Sequence, residues 1–584
     1  PFLLSAGVLS AGALVLPLDL ELAHKTNAGY FIIGYAGLLY VAAMLYFGGR
    51  FVRRRVGGVR FDRATYSLSA AALLLSVVTI ACLFATPVGR PGAGRRVSDE
   101  AATATSAARG PHVLWIVLDT VRADRLSVYG YERETTPFLK QWSQQALVFE
   151  RAIANGMWTV PTHASMFTGM PSRRHGQGHR AVWLDDEFDT VAEKLQRAGY
   201  ATAFFSNNPL VSERYNVTQG FDHSIVVWHA QQATRFSLDH LRARLGTIPP
   251  VPWLDPDSGA ALTNDFVEDW LGDHSGEPTL VFINLFEAHL PYRVPQRYRR
   301  MFMTPEQVRE SYKLQYASYG DMADWVNNRA NIDGYAFLSD LEVETIKRMY
   351  DASLRCLDDR LRELLAVYRR LGILDNTLVV ITADHGEYLD SHGMWSHHFL
   401  TYEELTHVPL IVRPPGTTVG ARVPVPVQLS DLYATIVRAA LGADAFEPTP
   451  DSRDLLAPNG ADSARIAVIE CYGPEPSARV RLQRKTDPVV RHRATAQIAA
   501  VAQRYKYIRS EDGWRELFDL AADPGEETNI ISSHRAVANR LDAFLNDWLR
   551  RVPEYVPKHR PEARSDALET LKALGYVAGD ETGD

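Results

Sequence analysis

The chain has 584 residues, of which 46% are hydrophobic and 22% are charged, and its formal net charge is -7. This composition excludes a mostly disordered protein and predicts no nucleic-acid partner, while the length indicates at least two structural units. Three cysteines, Cys82, Cys356 and Cys471, lie too far apart in the chain for a CxxC site and are too few for a disulfide framework.

Three apolar stretches at the start of the chain, residues 2–18, 28–47 and 66–87, predict transmembrane helices over residues 1–88. The last two approach the roughly 20 residues that a helix needs to cross a bilayer. The loop between them is rich in arginine, which places it in the cytoplasm by the positive-inside rule. We therefore expect a multi-pass protein in contact with a lipid bilayer, with its later domain periplasmic or extracellular. Core helices of a soluble domain are the alternative.

The chain begins with Pro1, so we expect residues of the natural N-terminus to be missing. Residues 89–110 are rich in Gly, Ala, Ser and Thr, and they predict a flexible linker. Strands alternate with helices over residues 111–458, which predicts an α/β core with a mainly parallel sheet flanked by helices. The predicted strands are 112–118, 200–205, 279–286, 377–382 and 408–412, and the predicted helices are 136–149, 189–198, 342–370 and 430–441.

Two further parts interrupt or follow this alternation. An aromatic-rich piece at about 297–339 predicts an insertion in the core. Residues 459–584 predict a small C-terminal α+β subdomain and tail, with a β-hairpin formed by 505–509 and 516–520. A last helix with a C-cap glycine is expected at 571–577.

Polar residues follow the predicted strands at the points where the strands end. They are Asp119, Asn207, His289, Asp384 and His385. In parallel α/β sheets, ligands bind outside the carboxyl ends of the strands. The sequence therefore predicts a site at this edge.

Residues 156–169, GMWTVPTHASMFTG, predict a short helix that starts at Pro161 and ends before Gly169. Thr159 would lie at its N-terminus, where free N–H groups favour an anion and where its hydroxyl can attack an ester. The alternative is that Thr159 only caps the helix.

Asp119, Asp384, His385 and the Thr159 oxygen would complete four-ligand coordination of a divalent cation such as zinc or manganese. Such a cation would make the Thr159 hydroxyl more acidic. His289 and His397 are candidates to hold the ester oxygens or protonate the leaving group, or to bind a second metal. Each part also has a local alternative: turn residues at the strand ends, or a solvated loop around the histidines.

Several segments carry a clear family resemblance. They are VLWIVLDTVRADRLSVYGY, WTVPTHASMFTGMPSRRHG, EAHLPY, YDASLRCLDDRLRELL, LDNTLVVITADHGE, YEELTHVPLIVRPPG and RYKYIRSEDGWRELFDLAADPGEETN. They resemble, in order, the sulfatase family of the alkaline phosphatase superfamily. The resemblance implies an alkaline-phosphatase-like fold and a metal-dependent ester hydrolase or transferase, with zinc, manganese or calcium.

The resemblance also implies roles for individual residues. By motif, Asp119, Asp384 and His385 match metal ligands, Thr159 matches the nucleophile position, and His289 and His397 match positions that contact the substrate or leaving group. Besides these roles, we expect Thr159 to be a fourth metal ligand. We expect Asn207, His163 and His398 to bind the substrate.

Two departures from the family pattern matter. Sulfatases carry Cys or Ser where this chain has Thr159, and Arg where it has His163; no formylglycine is therefore expected. Thr120 stands where many relatives have a second metal-binding Asp. A threonine nucleophile resembles the membrane-anchored phosphoethanolamine and glycerol-phosphate transferases, which act on envelope lipids or glycans.

We therefore predict a membrane-anchored sulfatase-like enzyme that cleaves or transfers a sulfate or phosphate ester group through Thr159. A transferase of the phosphoethanolamine or glycerol-phosphate type and a non-catalytic metal-binding relative are the alternatives.

Overall fold

The computed structural model describes residues 110–178, 183–227, 257–316, 338–397, 399–446, 448–458, 460, 462–473, 479, 482–485 and 491–556. All of them belong to one compact unit. The predicted membrane spans, the linker up to residue 109, His398 and the predicted helix at 571–577 lie outside the described residues. Among the described residues, no helix combines the length and apolar character needed to cross a bilayer.

The strands are β1 His112–Leu118, β2 Leu147–Ile153, β3 Ala201–Ser206, β4 His223–Val226, β5 Thr279–Leu285, β6 Thr377–Thr382, β7 Tyr388–Leu389, β8 Trp395–Ser396, β9 His407–Arg413, β10 Ala421–Gln428, β11 Ala467–Cys471, β12 Gln497–Val501, β13 Tyr505–Ser510 and β14 Arg515–Asp519. The α-helices are α1 Pro137–Trp142, α2 Thr159–Thr168, α3 Ser172–His175, α4 Val191–Arg197, α5 Ala260–His274, α6 Gln296–Phe302, α7 Pro305–Tyr316, α8 Asp340–Arg370, α9 Glu403–Thr406, α10 Asp431–Leu441 and α11 Arg535–Arg551.

Eight strands form a mixed sheet in the order β10-β2-β9-β6-β1-β5-β3-β4. Only β9 runs antiparallel to its neighbours in this sheet. Every residue of β1, β5 and β6 is buried, as expected for continuous apolar strands that are covered by helices on both faces. The predicted α/β fold with a mainly parallel sheet is confirmed.

The four strands β6, β1, β5 and β3 are parallel neighbours, so their carboxyl ends meet at one edge. The aromatic ring of Trp115, on β1, packs against both α2 and β5 in this part of the core. It makes edge contacts with Phe167 of α2 at 5.1 Å and Phe282 of β5 at 5.2 Å. Contacts of this kind each contribute about 1 kcal/mol beyond apolar burial. They fix α2 against the sheet edge at which Thr159 lies.

The helix predicted over 136–149 is wrong in its second half. It ends at Trp142, and β2 begins at Leu147. The segment has apolar, aromatic and β-branched residues that suit a strand, and β9 and β10 supply hydrogen-bond partners on both sides. The pairing in the folded sheet therefore overrides the local helical pattern.

The helix predicted to start at Pro161 starts two residues earlier, at Thr159. Pro161 is tolerated there because the first N–H groups of a helix have no partner within the helix. Gly169 ends the helix with φ 69°, and its N–H donates to the Ser165 carbonyl, as predicted.

The described part of the predicted insertion forms α6 and α7, which pack against α8. Helix α8 itself starts with a capping box, in which the Ser339 hydroxyl and the Glu342 carboxylate bond reciprocally to each other's backbone N–H groups. Residues 317–337 lie outside the described residues.

The C-terminal part contains an antiparallel sheet in the order β11-β12-β13-β14. The predicted hairpin is present as β13 and β14, with Tyr505 opposite Asp519. Leu541, Leu545 and Trp548 of α11 pack on one face of this sheet. The other face packs on the core around β7 and β8.

Candidate active site

Thr159 is the first residue of α2 and is fully buried. The preceding residue, Trp158, is extended, so the chain turns into the helix at the hydroxyl-bearing residue. The Thr159 Oγ1 atom lies 3.4 Å from His385 Nε2 and 3.5 Å from Asn208 Nδ2. The hydroxyl is therefore held between groups that come from the ends of two different strands.

Asp119, Asp384 and His385 are brought together, as predicted. Each offers one ligand atom, and these three atoms lie within 4.8 Å of one another. All three side chains are fully buried. Asp119 follows β1 directly, and Asp384 and His385 follow the neighbouring β6, so the sheet register sets their separation.

The donor set and its electrostatics fit a divalent cation. Two carboxylates and one imidazole suit zinc or manganese. Burial, followed by the charge of Asp384, raises the pKa of Asp119 to about 8, and burial raises the pKa of Asp384 to about 7. Asp119 Oδ1 is buried and accepts no hydrogen bond from the residues that the structure describes. A cation would offset the cost of holding two carboxylates together without water.

Thr120 contributes its backbone to this cluster. Its N–H donates to Asp384 Oδ1 at 3.2 Å, and its hydroxyl donates to the Asp119 carbonyl. The residue has φ 58°, and the Tyr350 hydroxyl holds it by donating to the Thr120 carbonyl at 2.7 Å. Many sulfatases have an Asp at this position. In this chain the backbone N–H of Thr120 orients Asp384 instead.

The Nδ1 atom of each of three histidines lies within hydrogen-bond distance of a neighbouring oxygen. His385 faces the Gly386 carbonyl and His289 the Leu290 carbonyl, each at 2.9 Å. His397 Nδ1 lies 2.9 Å from the Glu387 carboxyl group instead. The His397 ring centroid lies 4.5 Å from that of His385 and 5.2 Å from that of His289. Both candidate catalytic histidines thus adjoin the candidate metal-ligand cluster.

Burial controls the charge of these rings. It lowers the pKa of His385, and it lowers that of His289 to about 3. With Nδ1 donating, a neutral ring presents Nε2 as a lone-pair donor. His385 therefore has the tautomer that a metal ligand requires.

His163 is buried behind Thr159. Its Nδ1 donates to the Thr159 carbonyl at 2.9 Å, and its Nε2 faces Asn284 Nδ2 at 3.4 Å. Burial lowers its pKa to about 3, so the ring is neutral. Sulfatases have an arginine, a permanent cation, at this position. This chain has an uncharged ring there, which connects the Thr159 backbone to Asn284 of β5.

The sequence predicts Asn207 as a substrate-binding residue, and the structure adds its neighbour Asn208, which is the asparagine that reaches the cluster. Asn208 Nδ2 donates to Asp119 Oδ2 at 2.7 Å. Asn207 accepts from the Thr263 hydroxyl instead. Either asparagine satisfies a strand-end pattern, and nothing in the sequence distinguishes them.

Two further residues of the site, Asn284 and Glu387, were not predicted from the sequence. Asn284 Nδ2 donates to Asp119 Oδ2 at 3.3 Å. The sequence feature that could have identified Asn284 is a single amide side chain inside an apolar strand. For Glu387, the one indication in the sequence is its position directly after Asp384-His385-Gly386.

Comparisons with known proteins agree with this geometry. The model of the family described as Sulfatase matches residues 111–443. Arylsulfatase K of Bos taurus is 23% identical over 470 residues, which are 74% of this chain and 81% of that protein. N-acetylglucosamine-6-O-sulfatase of Bacteroides thetaiotaomicron is 23% identical over 526 residues, with 78% of this chain and 89% of that protein covered.

A solved structure shows the same fold. The phosphonate monoester hydrolase of Agrobacterium radiobacter superposes with a TM-score of 0.57 at 20% identity, over 77% of this chain and 100% of that one. The family match covers more than half of the chain. The chain therefore belongs to the sulfatase family of the alkaline phosphatase superfamily, and it is a sulfatase-like hydrolase.

Proposed function

We propose that this enzyme hydrolyses a sulfate ester on a glycan through a covalent Thr159 intermediate. The observation that carries the proposal is the position of Thr159 Oγ1, at the first turn of α2 and 3.4 Å from His385 Nε2. The name of the N-acetylglucosamine-6-O-sulfatase supports a sulfated sugar as the substrate class.

Asp119, Asp384 and His385 would hold a divalent cation, with Thr159 Oγ1 beside them. When bound, that cation would lower the pKa of the Thr159 hydroxyl and offset negative charge on the ester oxygens. Asn208 and Asn284 orient Asp119 through its Oδ2 atom. The backbone N–H groups of Thr120 and His385 orient Asp384 through its Oδ1 atom.

In the first step, Thr159 Oγ1 loses its proton to solvent and forms a bond to sulfur while the bond from sulfur to the leaving oxygen breaks. His397 gives its Nε2 proton to that oxygen. Burial raises the pKa of Glu387 well above its usual range, so the Glu387–His397 pair retains the additional proton that makes Nε2–H a donor. After the transfer, Glu387 is a carboxylate and His397 is neutral with Nδ1 protonated.

In the second step, water attacks the sulfur of the Thr159 ester while the bond from sulfur to Thr159 Oγ1 breaks. One proton of the water returns to the Glu387–His397 pair and the other protonates Thr159 Oγ1, so that sulfate is released and the hydroxyl is restored.

His289 is neutral and directs Nδ1–H to Leu290. Its Nε2 therefore accepts a hydrogen bond from a substrate hydroxyl rather than holding an anionic oxygen. The stacking of His289 on Phe286, with centroids 4.1 Å apart, keeps the ring in this orientation.

We also propose that the catalytic domain lies outside the cytoplasm, anchored in a bilayer by the spans predicted within residues 1–88. The support is the length of these apolar stretches and the arginine-rich loop between them. Protease added to intact spheroplasts should digest the catalytic domain. Protection until the membrane is permeabilised would contradict this orientation.

A phosphorus ester is the second candidate, and the nucleophile favours it. Threonine cannot be converted to the aldehyde on which the usual sulfatase cycle depends, whereas a threonine phosphoester can be hydrolysed or passed to an acceptor. The fold likeness to a phosphonate monoester hydrolase is compatible with this chemistry.

The test compares Thr159→Ala with Thr168→Ala on aryl sulfates, aryl phosphates and aryl phosphonate monoesters. Thr168 is a matched control, because it lies on the same helix and its hydroxyl donates to the Ala164 carbonyl. Thr159→Ala should abolish turnover while Thr168→Ala retains it. The ester class that is turned over decides between the two candidates, and full activity of Thr159→Ala overturns both. Intact-mass analysis during turnover should show one added group on the wild-type chain and none on the Thr159→Ala variant.

A further inference from the structure

A cavity lies between the catalytic sheet and the C-terminal sheet. Its volume is about 260 Å³. Asn155 and Ser430, which follow β2 and β10, form one part of its wall, and the C-terminal helix α11 forms another. Its charged lining residues are Asp451, Arg453, Arg465 and Arg551. Three arginines from three separate segments therefore line a space that the catalytic mechanism does not use.

Most of these charges have close partners. Arg465 is buried and pairs with Asp431 at 2.5 Å. Arg551 pairs with Asp547 at 2.7 Å, and Asp451 pairs with Arg174 at 3.1 Å. These pairs fix the walls of the cavity.

Arg453 is the exception. Among the described residues, Asp462 is the one acidic group within 4 Å of its guanidinium, and the separation is 3.7 Å. Only 31% of the Arg453 side chain is exposed. Burial and the neighbouring Arg465 lower the pKa of Arg453. A half-buried guanidinium beside a second one is stabilised by an anion, and its planar fork matches a carboxylate or sulfate.

Another part of the lining is apolar and aromatic. It includes Ile466, Phe544 and Trp548. Aromatic rings of this kind pack against the apolar face of a sugar ring. The cavity approaches the lower end of the volumes of small-molecule sites, which suits one ring-sized ligand.

We propose that this cavity binds one anionic sugar residue, with its carboxylate or sulfate on Arg453 and its ring against Phe544 and Trp548. The site is separate from Thr159, so the proposal does not depend on the proposed reaction. Free monosaccharide and a residue within a longer glycan share this chemistry.

The experiment is calorimetric titration of the full chain with glucuronate, glucose and inorganic sulfate. The wild-type protein should bind glucuronate but not glucose. Arg453→Gln should weaken glucuronate binding about tenfold or more, because a charge-assisted bond is lost. Arg550→Gln is the matched control, since Arg550 lies on the same helix as Arg551 but is 75% exposed and does not line the cavity; it should bind like wild type.

Phe544→Ala keeps the test decisive if Arg453→Gln does not fold. It should weaken glucuronate binding and leave sulfate binding unchanged, and unchanged glucuronate affinity in this variant would overturn the proposal. Equal affinity of glucose and glucuronate, equal affinity of the Arg453 and Arg550 variants, or no binding of glucuronate to the wild type would each overturn the proposal. Glycan oligomers that bind far more tightly than glucuronate would identify a chain rather than a free sugar as the ligand.

Discussion

The Glu387 carboxyl group lies 2.9 Å from His397 Nδ1, and both side chains are fully buried. The Tyr292 hydroxyl donates to the second Glu387 oxygen at 3.2 Å. His289 and His385, by contrast, direct Nδ1 to backbone carbonyls. His397 is thus the one of these three rings that shares a proton with an ionisable partner.

Replacing Glu387 with Gln should therefore impair leaving-group protonation. The amide still accepts a bond from Nδ1 but cannot hold the additional proton. For esters of poorly acidic alcohols we expect kcat to fall about 100-fold, with little change for esters of acidic phenols. The measurement is kcat across a series of leaving groups. Tyr292→Phe is the control because it leaves the Glu387–His397 contact in place, and a uniform loss across the series would contradict the assignment.

Asn208→Ala should weaken metal binding, whereas Asn207→Ala should not. Asn208 Nδ2 donates to Asp119 Oδ2 at 2.7 Å, while Asn207 bonds to Thr263 away from the cluster. Loss of a hydrogen bond to a ligating carboxylate typically costs about 10–100-fold in metal affinity. Titration with zinc or manganese measures the effect. Equal loss in the two variants would show that either asparagine supports Asp119 only through general stability.

The sequence predicted the parts of the site that depend on strand ends. β1 and β6 are continuous apolar runs buried on both faces, so their limits, and with them Asp119 and Asp384, follow from composition. β2 was missed because its partners, β9 and β10, come more than 250 residues later in the chain. Local pattern carries no information about pairing of that kind.

The supporting residues were harder to predict, for a geometric reason. β3 ends at Ser206, and the two asparagines that follow point in different directions. Which one faces Asp119 depends on the turn, where Ser206 Oγ and the Asn208 backbone bond to each other. The role of Glu387 likewise depends on its contact with His397. The pairing of β7 with β8 places these two residues next to each other.

Metal affinity should fall as the pH decreases below about 8. In the metal-free protein, the pKa of Asp119 is raised to about 8 and that of Asp384 to about 7. Below these values the cation must displace protons, so affinity should fall about tenfold per pH unit for each proton released. Titrations over a pH series measure this slope, and the variant Asp384→Asn should show a shallower one. An affinity that is constant from about pH 6 to about pH 8 would contradict the raised pKa values.

His175 should make the folded protein less stable in mild acid. Its Nδ1 accepts from the Gln177 backbone N–H and its Nε2 faces the Ser165 hydroxyl at 3.0 Å, so the buried ring is neutral. Burial lowers its folded pKa to about 3 from an ordinary 6.5. The unfolded chain therefore binds a proton between these values and the folded chain does not, so stability is lost as the pH falls below 6.5. The loss is about 1.4 kcal/mol per pH unit.

Denaturant unfolding at about pH 7 and about pH 5 measures this effect in the wild type and in His175→Gln. The free energy of unfolding should depend less steeply on pH in the variant. Parallel curves for the two proteins would show that His175 is protonated in the fold.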